Sequence, residues 1–244
     1  MVRLISLLLL AGSVAAAAPA PAAEDRGPGI VGERQGDGLV YRVANFRSVA
    51  IGTSGTADVR VGPAWSLRIA GPAAALANLR VVVKDGRLQI EKRDPRRREE
   101  GDERIVIALT LPRLDDAALG GSGRFRIDRI AGGDFSAAVG GSGDLSIGAL
   151  NADKAVLSIG GSGSIRAAGR VRDVAVNIGG SGRLDAPALV ASKGEVAAAG
   201  SGGARISVDG PATVSLVGSG LVDLGPEARC SVTRMGSGRV ICGR

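Results

Sequence analysis

The triplet Gly-Ser-Gly occurs seven times in the C-terminal half of the chain, centred on Ser122, Ser142, Ser162, Ser181, Ser201, Ser219 and Ser237, so that its period is short and nearly constant. Such a period is the signature of a solenoid, in which one repeat cannot bury its apolar face alone and must stack on its neighbours. Three residues after each serine stand Phe125, Leu145, Ile165, Leu184, Ala204, Val222 and Val240. Five residues after stand Ile127, Ile147, Ala167, Ala186, Ile206, Leu224 and Cys242. Before each serine the same alternation runs backwards, for example Leu157 and Ile159 before Ser162. This is the period-2 pattern of strands with one face turned inward. A period this short holds two strands and two turns and leaves no room for a helix. The expectation is an all-β chain, a right-handed parallel β-helix with about seven Gly-Ser-Gly rungs, whose regular part spans residues 117–244.

Glycine at each corner allows a positive φ that other residues resist. The seven serines then form a ladder at the corners. They are expected to satisfy turn hydrogen bonds there, the competing reading being a row of nucleophiles or sugar-facing hydroxyls. The last copy departs from the pattern where Arg234 takes an inward apolar position, as an end cap would. Calcium-binding nonapeptide repeats read Gly-Gly-x-Gly-x-Asp-x-apolar-x. The nearest match, Gly140 to Leu145, carries Asp144 one residue early, and no metal site is expected.

Cys230 and Cys242 share inward parity around the last corner, and a disulfide between them would lock the final rung. The chain has no histidine, which removes Ser-His-Asp and Cys-His nucleophile pairs and most zinc sites. It has only one Trp, one Tyr and three Phe, so its core must be built from stacked aliphatic side chains. The net charge of +7 is spread along the chain rather than gathered on one segment, which argues against nucleic acid as a partner. The densest run, Arg93 to Arg104, holds five bases and five acids and reads as a self-cancelling solvated loop.

The N-terminus carries Arg3, an apolar stretch from Leu4 to Val14, and an Ala-Pro run containing Ala20-Pro21-Ala22. These features define an export signal over residues 1–23. No cysteine near the cleavage site suggests a lipid anchor, and the apolar stretch is too short to span a membrane, so the mature chain is expected in the periplasm, the cell envelope or outside the cell. Residues 24–37 read as a Gly-rich linker and 38–244 as one domain. Strand-like runs follow at Leu39 to Val43, Val49 to Ile51, Ala57 to Val61, Ser66 to Ala70, Leu79 to Lys84, Arg87 to Glu91 and Ile105 to Leu111. Asp85-Gly86 marks a hairpin, and Ile51 to Val61 looks like a degenerate rung around Ser54.

The order of these segments carries a resemblance. Phe46 to Val61 is followed by Trp65-Ser66-Leu67-Arg68-Ile69, then Val81 to Ile90, then Leu109-Thr110-Leu111-Pro112, then the Gly-Ser-Gly rungs. Over residues 38–244 this resembles the bacterial envelope family of the auto-transporter adhesin, head GIN domain. The resemblance implies a β-helix and an exported location, and it brings no catalytic or binding residues. No C-terminal transmembrane β-barrel segment follows the repeats, so self-transport is not expected.

The functional expectation is a non-enzymatic envelope scaffold that meets a polysaccharide or surface component and uses no cofactor. The alternative is a glycan hydrolase or lyase working through carboxylates or arginine. Its candidates are Asp128, Asp134, Asp144 and Asp153, which sit at unequal offsets from the serines and read better as solvated turn residues. Tyr41 and Trp65 are expected to cover the N-terminal end.

Overall fold

The computed structural model describes residues 29–97 and 99–243. The expected export signal and residues 24–28 lie outside them. In the repeat region each strand pairs in parallel with the strand one period along the chain. Asp134–Gly141 lies between Asp116–Gly121 and Asp144–Gly161, and Ser164–Gly180 lies between Asp144–Gly161 and Arg183–Gly200. The pattern continues to Arg229–Met235 and Arg239–Ile241. The result is a β-solenoid of about six turns. Seven corners enclose six full intervals, which accounts for the difference from the seven rungs expected.

The inward positions are those that the alternation marks. Phe125, Leu145, Ile165, Leu184 and Val222 are completely buried, as are Leu157 and Val214 on the opposing side. The last rung differs, because no described strand stacks on it. Val232, at an inward position, is 46% exposed.

The backbone makes the corners. The carbonyl of Gly141 accepts from the N–H of Ser162 and of Gly163, both at 2.9 Å, and the same arrangement joins Gly180 to Ser201 and Gly202 at 3.0 Å. Gly161 adopts φ +121°, and a Cβ there would lie 2.6 Å from the Gly141 carbonyl oxygen. Any side chain at this position would break the bond that sets the rung spacing. Changes in repeat length are absorbed elsewhere. Register shifts fall between Ile147 and Leu150, Ile165 and Gly169, and Ala186 and Val190, at the second corner, while the Gly-Ser-Gly corner stays in line.

The N-terminal strands join the same solenoid, out of sequence order. Thr56–Val61 pairs in parallel with Arg124–Ala131 on one side and with Val106–Leu111 on the other. Ser48–Gly52 likewise lies between Asp116–Gly121 and Arg87–Lys92. The degenerate rung around Ser54 is therefore the support for the first regular rung, and residues 87–111 form the rung outside it.

Antiparallel strands close this end. Gly38–Tyr41 pairs with Ser66–Ala70, which pairs with Val106–Leu111. Leu79–Lys84 turns into Arg87–Lys92 through Asp85 at φ +50° and Gly86 at φ +71°, the mirror-image turn that the Asp-Gly pair favours. Antiparallel pairing hides backbone groups that an open rung would expose. Burial of Tyr41 in this cap, at 6% exposure, pushes its phenol above its ordinary value.

Two expectations need adjustment. The stretch expected as linker contributes a strand, Glu33–Gln35, paired antiparallel with Gly38–Tyr41. The charged run from Arg93 to Arg104 is anchored rather than simply solvated. Asp102 is buried and paired with Lys92, and the Asn78 side chain holds Asp94 through its Nδ2 (3.3 Å, to the carbonyl) and Oδ1 (3.1 Å, from the N–H). A buried acid with a lysine one strand away is stable where a lone one would not be. A short helix, Ala73–Ala77, follows Pro72 and is too brief to leave a periodic signal.

Candidate binding groove

Where the capping strand Ser66–Ala70 meets the solenoid face that follows the Gly-Ser-Gly corners, the surface is concave. The groove measures about 910 Å³, at the upper end of the range for ligand sites. Its rows come from strands far apart in sequence but locked in register, with Asp58 opposite Arg126, Arg126 opposite Ser146, and Ser146 opposite Arg166. Its floor carries Ala108, Ser146, Gly148 and Ala168, all too small to fill it. At Gly148 the smallness is enforced, since a Cβ would come within 2.6 Å of the Asp128 carbonyl oxygen.

Four arginines and two aspartates line it: Arg60, Arg68, Arg126, Arg166, Asp58 and Asp128. Arg68 is fixed by Asp37 at 2.5 Å and by the Gln35 carbonyl at 3.1 Å. Arg126 meets Asp58 at 3.5 Å, and Arg166 reaches Asp144 at 3.9 Å. Both of these pairs are about half exposed, so each contributes roughly 0–1 kcal/mol. Arg60 has no ion-pair partner among the described residues.

Of the four aspartates considered from sequence, the structure brings only Asp128 into this groove. Its Oδ1 accepts from the backbone N–H of Val61 at 2.9 Å and of Arg129 at 2.6 Å. Asp144 lies beside the groove and accepts from the Ser164 hydroxyl at 2.5 Å. Asp153 stands on the other corner, where Arg172 reaches it at 3.4 Å and Asp173 at 3.1 Å. The Asp173 hydrogen bond, with the Asp153 charge behind it, holds the Arg172 guanidinium above its usual range. Asp134 opens the neighbouring strand Asp134–Gly141 and adds to the same field.

The serines of the corners lie on the surface, and Ser142, Ser162, Ser181, Ser201 and Ser219 donate their N–H groups to the rung before. One hydroxyl pair is bonded directly, Ser237 to Ser219 at 3.1 Å. Cys230 and Cys242 are joined to each other, with Cα atoms 6.2 Å apart, across the open last rung. Arg234 turns its guanidinium to the Gly238 carbonyl at 3.0 Å in that rung. Trp65 is 39% exposed and precedes Ser66 at the groove's edge.

The family model for "Putative auto-transporter adhesin, head GIN domain" matches residues 45–225. The chain belongs to this family. No curated protein matches it. Among solved structures, one described as a putative adhesin from Bacteroides fragilis superposes with a TM-score of 0.77 at 22% identity, covering 83% of this chain and 94% of its own. A putative adhesin from Parabacteroides distasonis gives 0.67 at 18% identity with the same coverage. A putative lipid binding protein from the same organism gives 0.65 at 17%, again over 83% and 94%. At these identities the likeness establishes the head GIN fold alone. No helix among the described residues is long and apolar enough to cross a membrane.

Proposed function

We propose that this head GIN protein is an exported, non-enzymatic scaffold that holds a surface polymer against the sheet face following its Gly-Ser-Gly corners. The observation that carries the reading is the groove. It lies along the solenoid axis, is floored by small residues, and is walled by arginines whose present partners are weak or missing. The adhesin description of the family supports an adhesion role at the cell surface.

One observation favours a second reading, a glycan-cleaving enzyme, since Asp58 and Asp128 share the groove. Paired acids across a sugar chain are the requirement for glycoside hydrolysis. Here, however, Asp128 is used structurally, its Oδ1 accepting from two backbone N–H groups, which leaves Asp58 as the one acid of the pair not tied to the backbone.

Incubation of the purified mature protein with envelope preparations and a polysaccharide panel separates the two. Retention of polymer with no release of reducing or unsaturated ends is expected. End release that disappears in Asp128→Asn would make the protein an enzyme, and retention of nothing would remove the scaffold reading.

A further inference from the structure

We infer that the groove takes an acidic polysaccharide, one whose sugars carry carboxylates, laid along the solenoid axis with Arg60, Arg126 and Arg166 pairing those carboxylates. The inference rests on the scaffold reading and names its ligand class.

Spacing supports it first. Successive rungs are separated by the inter-strand distance of about 4.8 Å. Arg126 and Arg166 stand two rungs apart with Ser146 between them in register, so their positions repeat at about twice that spacing. An extended β-linked chain presents like substituents once per disaccharide at a comparable interval. Beyond the groove, past a register shift that follows Ile165, Arg205 stands in register between Asp185 and Asp223.

Availability supports it next. The guanidinium fork matches a carboxylate with two parallel hydrogen bonds. Arg60 has no ion-pair partner among the described residues, and the contacts of Arg126 and Arg166, at 3.5 and 3.9 Å, are longer than a good charge-assisted bond. A ligand carboxylate can displace Asp58 and Asp144 at little cost.

The mixed charge narrows the class. Asp58 and Asp128 would repel a polymer with a phosphate at every residue, and the groove lining has no aromatic side chain on which bases could stack. Sugars bearing hydroxyls beside each carboxylate give these acids donors to accept from. Ser146 in the floor adds a hydroxyl.

The test compares β-1,4-linked polymannuronate with its fully methyl-esterified form, which keeps the backbone and removes the charge. Calorimetry would use the wild-type mature protein, the pair Arg60→Gln and Arg166→Gln, the single change Ser146→Glu, and the control pair Arg34→Gln and Arg239→Gln. Ser146→Glu places a carboxylate between Arg126 and Arg166, where both can hold it, so the fold is kept while the site is occupied from within. The expected result is binding of polymannuronate, at least about tenfold weaker binding of the ester, and a loss of about tenfold in both groove variants with the control pair unchanged.

Equal binding of acid and ester would overturn the inference and leave the scaffold reading intact. So would an equal loss in the control pair, which would mean that bulk positive charge attracts the polymer. Competition by single-stranded DNA at matched affinity would replace the glycan with a nucleic acid. Failure to bind either polymer, or any envelope material, would remove both readings.

Discussion

The repeats from Asp116 to Ile241 and the strands before them build the same solenoid by different rules. In the repeats, spatial order follows chain order, and each rung rests on the one a single period earlier. In the N-terminal part, Thr56–Val61 meets Arg124–Ala131 across a long stretch of intervening chain, and the outermost rung, residues 87–111, is made after the rung it covers. The first rule gives a regular, extendable face. The second gives an end closed by antiparallel strands, and it extends the groove, because the capping strand Ser66–Ala70 continues the same sheet beyond Val106–Leu111 and adds Ser66 and Arg68 to the lining. Among the described residues the C-terminal end has no such cap, and Arg234 and the disulfide tie its last rung. A polar end device protects an open rung less thoroughly than paired backbone does.

The largest expected effect is at the seam between the two regions. Phe125 is completely buried in the first regular rung, opposite Ala57 of the inserted one. Phe125→Ala should cost about 3–5 kcal/mol, measured by urea denaturation, and should weaken both regions together. If only one region melts earlier, the seam is not a shared core.

The next effect belongs to the open end. Removing the disulfide with Cys230→Ser and Cys242→Ser frees a loop whose ends are separated by 12 in the sequence and should cost about 2–3 kcal/mol in the chain-entropy account. Hydrogen exchange should show the loss in residues 229–243 with the N-terminal cap unchanged. Uniform loss would mean that the ends are coupled.

The smallest effect is in the cap. Because burial raises the folded-state value of Tyr41 above its ordinary 10.0, the cap's stabilising preference for the neutral phenol is complete below that pH and is lost as pH rises above it. Tyr41→Phe should change stability at neutral pH by no more than about 1 kcal/mol. It should also flatten the alkaline decline, read from thermal melts at pH 9 to 11. An unchanged decline would place its cause elsewhere.

The alternation around each serine identified the inward side chains, and Asp85-Gly86 marked its hairpin, because both signals are local. The degenerate rung at Ser54 was visible as a pattern. Its partners were not, since nothing near Thr56 states that Arg124 will lie beside it. The groove was hidden for the same reason: its arginines come from strands that meet only through that long-range register. One signal was present, arginine at the fourth position after Ser122, Ser162 and Ser201. It marks a charged column on the outer face but not the strands that extend that column past the first regular rung. The aspartates drew notice as chemical groups, whereas the structure uses Asp128 to cap Val61 and Arg129.

The groove exists only because the rung of residues 48–61 is inserted between 87–111 and 116–131. Ala50 and Ala118 are in register on neighbouring parallel strands, with Ala138 one rung further on. Cysteines at 50 and 118 should oxidise to a disulfide mapped by mass spectrometry, because neighbouring strands lie within the roughly 4.4–6.8 Å that such a bond spans between Cα atoms. Cysteines at 50 and 138 should stay reduced. A bond in the second pair with none in the first would contradict the insertion.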